Sequence, residues 1–140
     1  MRVCWTYSNK YNPPIPVIHL SIHTIDIKLV YPTIGTQEVI VDTGYDGYVL
    51  VPWNIYDMRL SLDLYQSPIA AIIESPLGGT YKLHIARVYI KIQEINATIL
   101  TYVESYEEST EFFAGRSFIN RLKMYLNGPN KELCLESINE

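Results

Sequence analysis

The stretch VIVDTGYDGYVLVP, residues 39–52, sets two carboxylates, Asp42 and Asp46, among Gly44 and Gly47 between two apolar runs. One reading is an acidic turn, because Asp bonds its own backbone and Gly turns without steric cost. The other is a carboxylate presented for acid–base chemistry. A calcium loop is excluded: an EF-hand needs a bidentate Glu at its twelfth position, and counting from Asp42 that position holds Trp53.

Other residues with chemical capacity are weaker candidates. His19 and His23 in HLSIH would share one face of a helix, but the alternation around them is that of a strand. Four strand residues span about 13 Å, too far for one metal ion. Cys4 and Cys134 lie near opposite ends of the chain, and two thiols do not make a four-ligand zinc site. They could bridge if the termini meet, but free thiols are the expectation for a reducing compartment. A phosphate-binding hairpin of the actin and sugar-kinase kind also begins strand–Asp–x–Gly, but it needs two lobes to close on ATP. A chain of 140 residues is the size of one domain.

Composition narrows the function further. The chain is 48% apolar, which argues against disorder, and carries a net charge of −4 with scattered Lys and Arg. No basic stripe for nucleic acid is present. No apolar run approaches the ~20 residues of a membrane helix, and MRVCWTYSNK lacks a signal peptide's apolar segment. These features point to a soluble, cytoplasmic chain with no nucleic-acid or membrane partner.

The elements that must position Asp42 read mostly as strands. Residues 1–16, ending in NPPIP, read as an N-terminal arm because proline disfavours helix and strand interiors. Residues 17–140 read as one domain. VIHLSIHTIDIKLV alternates with period two, as a strand with one buried face does. EVIV leads into Asp42 and YVLVP leads out, and WNIYDMRL has the spacing of one or two helical turns. SPIAAIIES and TYKLHIARVYIKIQEI form a hairpin about the glycine-bearing SPLGG. ATILTYVE and EFFAG are further strands, RSFINRLK has helical spacing, and KMYL and ELCLE close a hairpin about NGPN. Many short strands with turn punctuation predict an all-β sandwich or barrel. EVIVDTG and EFFAGRS also echo each other faintly, as apolar strands that end at a glycine.

On these residues the chain resembles the retropepsin-like aspartic peptidases, bacterial and archaeal type. Asp42-Thr43-Gly44 after an apolar strand resembles their active-site triplet, and FFAGRSFINRLKMYLNGPNKELCL resembles their second signature. The resemblance runs in order over residues 17–136. It implies an all-β, retropepsin-like acid protease barrel with one short helix after Gly115, a single-lobe protomer that forms a two-fold dimer.

The implied activity is hydrolysis of peptide bonds in a peptide or protein substrate, with no metal or cofactor. Water attack needs a base and an acid, and two close carboxylates supply both by sharing one proton. The chain holds one Asp-Thr-Gly, so the second carboxylate would be Asp42 of another copy in a homodimer. Gly44 would offer its N–H to the carboxylate, and Thr43 would reach across the two-fold axis. Arg116 would pair with Asp46 to brace the loop beside Gly115. Gly78 and Gly79 would form the tip of a flap over substrate, and Tyr45, Asp46, Phe113 and Ala114 would line the cleft. Tyr45 stands where retroviral enzymes carry a small residue. The alternative function is therefore a non-catalytic dimeric binding module with a cleft narrowed by Tyr45.

Overall fold

Runs of Ile, Val and Tyr suit a pleated, half-buried surface, and in the computed structural model they become strands. Residues 1–65, 69–74 and 80–138 are described. The first half holds β1 (Arg2–Thr6), β2 (Val17–His23), β3 (Val30–Tyr31), β4 (Gln37–Val41) and β5 (Val49–Leu50). A π-helical turn (Ile55–Arg59) and the short α1 (Leu62–Tyr65) follow, then β6 (Ile69–Glu74), β7 (Thr80–Ile92) and β8 (Ala97–Ser105). The chain closes with β9 (Phe113–Ala114), α2 (Arg116–Ile119), β10 (Lys123–Asn127) and β11 (Glu132–Glu136).

Eight strands lie in the order β3-β2-β4-β9-β5-β8-β7-β6, and a further β2–β7 pairing closes the inner six into a barrel. Ile18, Leu20, Ile22, Val39, Val88, Ile90, Val103 and Phe118 fill it, each essentially inaccessible to solvent. The two echoing segments are neighbours: β4 and β9 run parallel, with Ile40 opposite Phe113 and Val41 opposite Ala114. The helix after Gly115 is α2, as expected. No helix among the described residues is long and apolar enough to cross a membrane.

Three features depart from the sequence reading. The alternation from Val17 to Val30 is not one strand. It breaks after His23, where the Thr24 hydroxyl donates to Asp26 Oδ1 at 2.6 Å and accepts the Leu29 N–H at 3.1 Å. Ile27 adopts a positive φ of 62° in that turn. Polar side chains that bond nearby backbone turned the chain without disturbing the apolar spacing. Both faces of β2 are largely covered, Ser21 included.

Within the segment read as an arm, Arg2–Thr6 is a paired strand. It lies antiparallel to β11 in a second, three-stranded sheet ordered β1-β11-β10. Pro13, Pro14 and Pro16 fall beyond it, so proline's missing donor does not affect its pairing. That register sets Cys4 directly opposite Cys134, and the two form a disulfide. The expectation of free thiols is therefore corrected. Sequence distance concealed a pair that the sheet makes adjacent.

The β6–β7 hairpin, where a flap is expected, is tied down at its base. His84 Nδ1 on β7 lies 2.8 Å from Asp63 Oδ2, and the buried Tyr56 hydroxyl donates to Asp63 Oδ1 at 2.8 Å. Trp53 packs on both rings. The expected flap tip, Gly78 and Gly79, lies outside the described residues.

Candidate active site

β4 ends at Val41, and the chain leaves the barrel wall at Asp42, whose N–H is held by the Ala114 carbonyl at 3.0 Å. Asp42 is partly exposed, and Thr43 and Gly44 are exposed. The Gly44 N–H donates to Asp42 Oδ1 at 2.9 Å. A Cβ built on Gly44 would sit 3.2 Å from that oxygen, so glycine gives the amide its close approach. The Tyr45 N–H returns to the Asp42 carbonyl at 3.2 Å. The result is a tight loop that orients one carboxylate oxygen by a backbone donor.

The loop is locked against the turn after β9. Gly115 N–H donates to Tyr48 O at 2.7 Å, Arg116 N–H to Tyr45 O at 2.8 Å and Ser117 N–H to Gly47 O at 3.1 Å. The Ser117 hydroxyl adds a bond to Asp46 O at 2.6 Å. The two motifs singled out in the sequence are thus one unit. Its brace differs from the expected one: among the described residues no ion pair joins Arg116 to Asp46. Both side chains are exposed at this turn, and the backbone amides after Gly115, with the Ser117 hydroxyl, do the bracing. Gly115 is required sterically, since a Cβ there would strike the Gly47 carbonyl and the Tyr45 ring.

Tyr45 is half-buried, and its hydroxyl donates to Glu104 Oε1 at 2.8 Å. The Tyr48 N–H reaches the same oxygen at 2.5 Å. Glu104 sits on β8 and is only 4% exposed. Burial pushes its carboxyl above the ordinary glutamate value and the nearby Asp46 adds to this, against the opposing pull of the Tyr45 and Tyr48 hydrogen bonds. Burial, then the Glu104 charge, also holds the Tyr45 phenol well above its ordinary range, so it remains a neutral donor. Ala114 is fully buried and Phe113 partly so. Ala114 acts here through its carbonyl on Asp42.

Sequence reading missed Glu104. Its one signal was an acidic residue at the apolar end of ATILTYVES, too ordinary to single out without its partners. Gly47 was equally undervalued: a Cβ there would collide with Glu104 Oε1 and the Tyr45 hydroxyl.

A single all-β lobe that carries Asp-Thr-Gly on a loop locked to a Gly-Arg turn has the retropepsin-like fold. Two solved structures share it. The protease of EIAV in complex with the inhibitor HBY-793 superposes with a TM-score of 0.52 at 16% identity, over 84% of this chain and 93% of that one. The retroviral protease-like domain of Ddi1 from Leishmania major gives 0.53 at 12% identity, over 90% of each chain. An uncharacterized protein of Archaeoglobus fulgidus is 28% identical over 119 residues, 80% of this chain and 86% of its own length. No protein-family model matches the chain.

Proposed function

We propose that the chain is a homodimeric aspartic endopeptidase in which Asp42 of two protomers activates a water molecule against a peptide bond. The observation that carries this reading is the Asp42 carboxylate itself. It stands at the end of a barrel strand, open to solvent, with one oxygen fixed by the Gly44 amide. Two such carboxylates brought together cannot both ionise, so one serves as base and the other as acid. The EIAV protease shares this fold and is bound to an inhibitor in its solved structure, which supports a peptide substrate here.

The second copy has a natural place to dock. Among the described residues β10 pairs only with β11 and its other edge is unpaired, and Tyr125 and Leu126 on it are 47% and 54% exposed. We place the two-fold seam along this edge, with the Thr43 hydroxyl meeting the partner loop near the axis. Among the described residues that hydroxyl has no hydrogen-bond partner. The non-catalytic alternative drew on Tyr45 narrowing the cleft, and the Tyr45 hydroxyl is tied to Glu104.

The test is digestion of casein or a peptide library between pH 3 and 7, with sedimentation to establish the mass in solution. Wild type should cut as a dimer and Asp42→Asn should not. No cleavage by wild type, equal cleavage by the Asn variant, or a monomer at micromolar concentration would each count against the proposal.

A further inference from the structure

The geometry points to Glu104 as the positioning residue of the Asp42 loop, acting through Tyr45 and Tyr48. Its kinetic consequence rests on the protease reading above; its structural consequence does not. Glu104 is the one charged side chain buried among the described residues. Burying a carboxyl is unfavourable unless donors replace its water, and both donors to this one come from the same short loop. They are the Tyr45 hydroxyl and the Tyr48 amide, converging on Oε1.

Glu104 is itself anchored on the far side of that loop. Its carbonyl accepts the Val51 N–H at 2.9 Å, and β8 runs parallel to β5 with Leu50 opposite Glu104. The side chain therefore spans from the barrel wall to the segment between Asp42 and β5. Opposite it, the Gly115–Ser117 turn holds the loop through Tyr45 O, Asp46 O, Gly47 O and Tyr48 O. The loop is clamped from both sides, and Tyr45 links the clamp to the chemistry. Its hydroxyl goes to Glu104, while its N–H goes to the carbonyl of Asp42.

Packing leaves this arrangement little slack. The Tyr45 ring lies against Gly115, and its hydroxyl passes over Gly47 on the way to Glu104, at both places too close for any side chain on the glycine. Removing the acceptor strands a phenol and an amide in a nearly closed space, and the loop must shift to reach water. Displacing a reacting group by about 1 Å costs on the order of 10²-fold in rate.

The experiment compares wild type with Glu104→Leu, Glu104→Gln and Tyr45→Phe. The Leu variant should lose about 10- to 100-fold in kcat with little change in KM. The Gln variant keeps an acceptor oxygen and should recover most of that loss. Tyr45→Phe removes one hydroxyl and almost no volume, so it reads the same direction even if the Leu variant fails to fold. Amide hydrogen exchange supplies a readout independent of activity. The Tyr48 amide should exchange at least about tenfold faster in the Leu variant and stay protected in the Gln variant, with the Val88 and Ile90 amides of β7 unchanged.

Unchanged kcat and unchanged Tyr48 protection in both Glu104→Leu and Tyr45→Phe overturn the assignment. Loss of Tyr48 protection in a protein that cleaves no peptide supports the clamp and removes only the protease reading. Full activity that depends on Asp42 but not on Glu104 or Tyr45 does the reverse.

Discussion

Opening the Cys4–Cys134 bond is the perturbation whose size follows most directly from the fold. The bond joins residues 130 apart in sequence, nearly the whole chain, and pins β1 to β11 at the centre of their five-residue register. Breaking it leaves the paired strands in place, so the effect falls on the unfolded chain, which gains the freedom of an open loop. The chain-entropy relation puts that gain at about 5 kcal/mol for a loop of this length, with strain and residual structure lowering the measured value to about 3–5 kcal/mol. Against a total stability of roughly 5–15 kcal/mol for such a domain, this is a large share. With an unfolding entropy near 2.1 cal/mol/K per residue, the full effect corresponds to a fall in Tm of about 17 °C. Cys4→Ser is the better variant, because Cys4 is exposed while Cys134 is buried, so the new hydroxyl meets water. Guanidinium unfolding of the variant, and of wild type with and without a dithiol reductant, measures the difference. Thiol titration of native wild type should find no free thiol. A loss below about 1 kcal/mol, or two titratable thiols in the air-equilibrated protein, would refute the reasoning.

Two glycines should respond very differently to one methyl group. Gly115→Ala drives a Cβ into the Gly47 carbonyl and the Tyr45 ring and should destabilise by about 3 kcal/mol or more. Gly128→Ala meets nothing within 4 Å and should stay within about 0.5 kcal/mol, both read by denaturant unfolding. The Glu104 carboxyl should also mark the pH dependence of stability. Its folded-state pKa is raised by burial above the ordinary 4.5, so the folded protein holds the proton more tightly than the unfolded chain. Its contribution is complete below about pH 4.5 and is lost as pH rises through the folded value, with a slope of at most about 1.4 kcal/mol per pH unit. Unfolding free energies of wild type should therefore fall relative to Glu104→Gln as pH rises from 4 towards neutrality. A flat or rising difference would show that burial does not raise the carboxyl's hold on its proton. Tyr56→Phe, which strips a donor from Asp63 beneath the β6–β7 hairpin, should cost about 1 kcal/mol in the same assay.

The local devices of this fold were legible. A period-two run marked β2, apolar runs set off by turn residues marked β7 and β8, the NGPN turn marked the β10–β11 hairpin, and two glycine-ended apolar strands marked the candidate site. That legibility failed wherever an outcome depended on a distant partner or on a side chain that competes with the ladder. The Thr24–Asp26 turn hid inside an unbroken alternation, because TIDIK keeps its apolar period while its polar members bond the backbone instead. β1 was obscured by prolines that lie several residues beyond it. The Arg116–Asp46 brace was expected from resemblance, and the structure braces the same loop with backbone amides and the Ser117 hydroxyl.

By itself the sequence determined that Asp42 follows a buried strand, with a glycine two residues on whose amide can reach back to it. That is a property of neighbours, and spacing along the chain is enough to state it. Only the tertiary structure decided what Tyr45 does. Its partner is 59 residues away on another strand, and the glycines that make room for it lie in two separate turns. Hydrogen bonds and steric exclusion act at a few ångströms whatever the sequence separation. The residues that shape this loop became visible only once the barrel had closed.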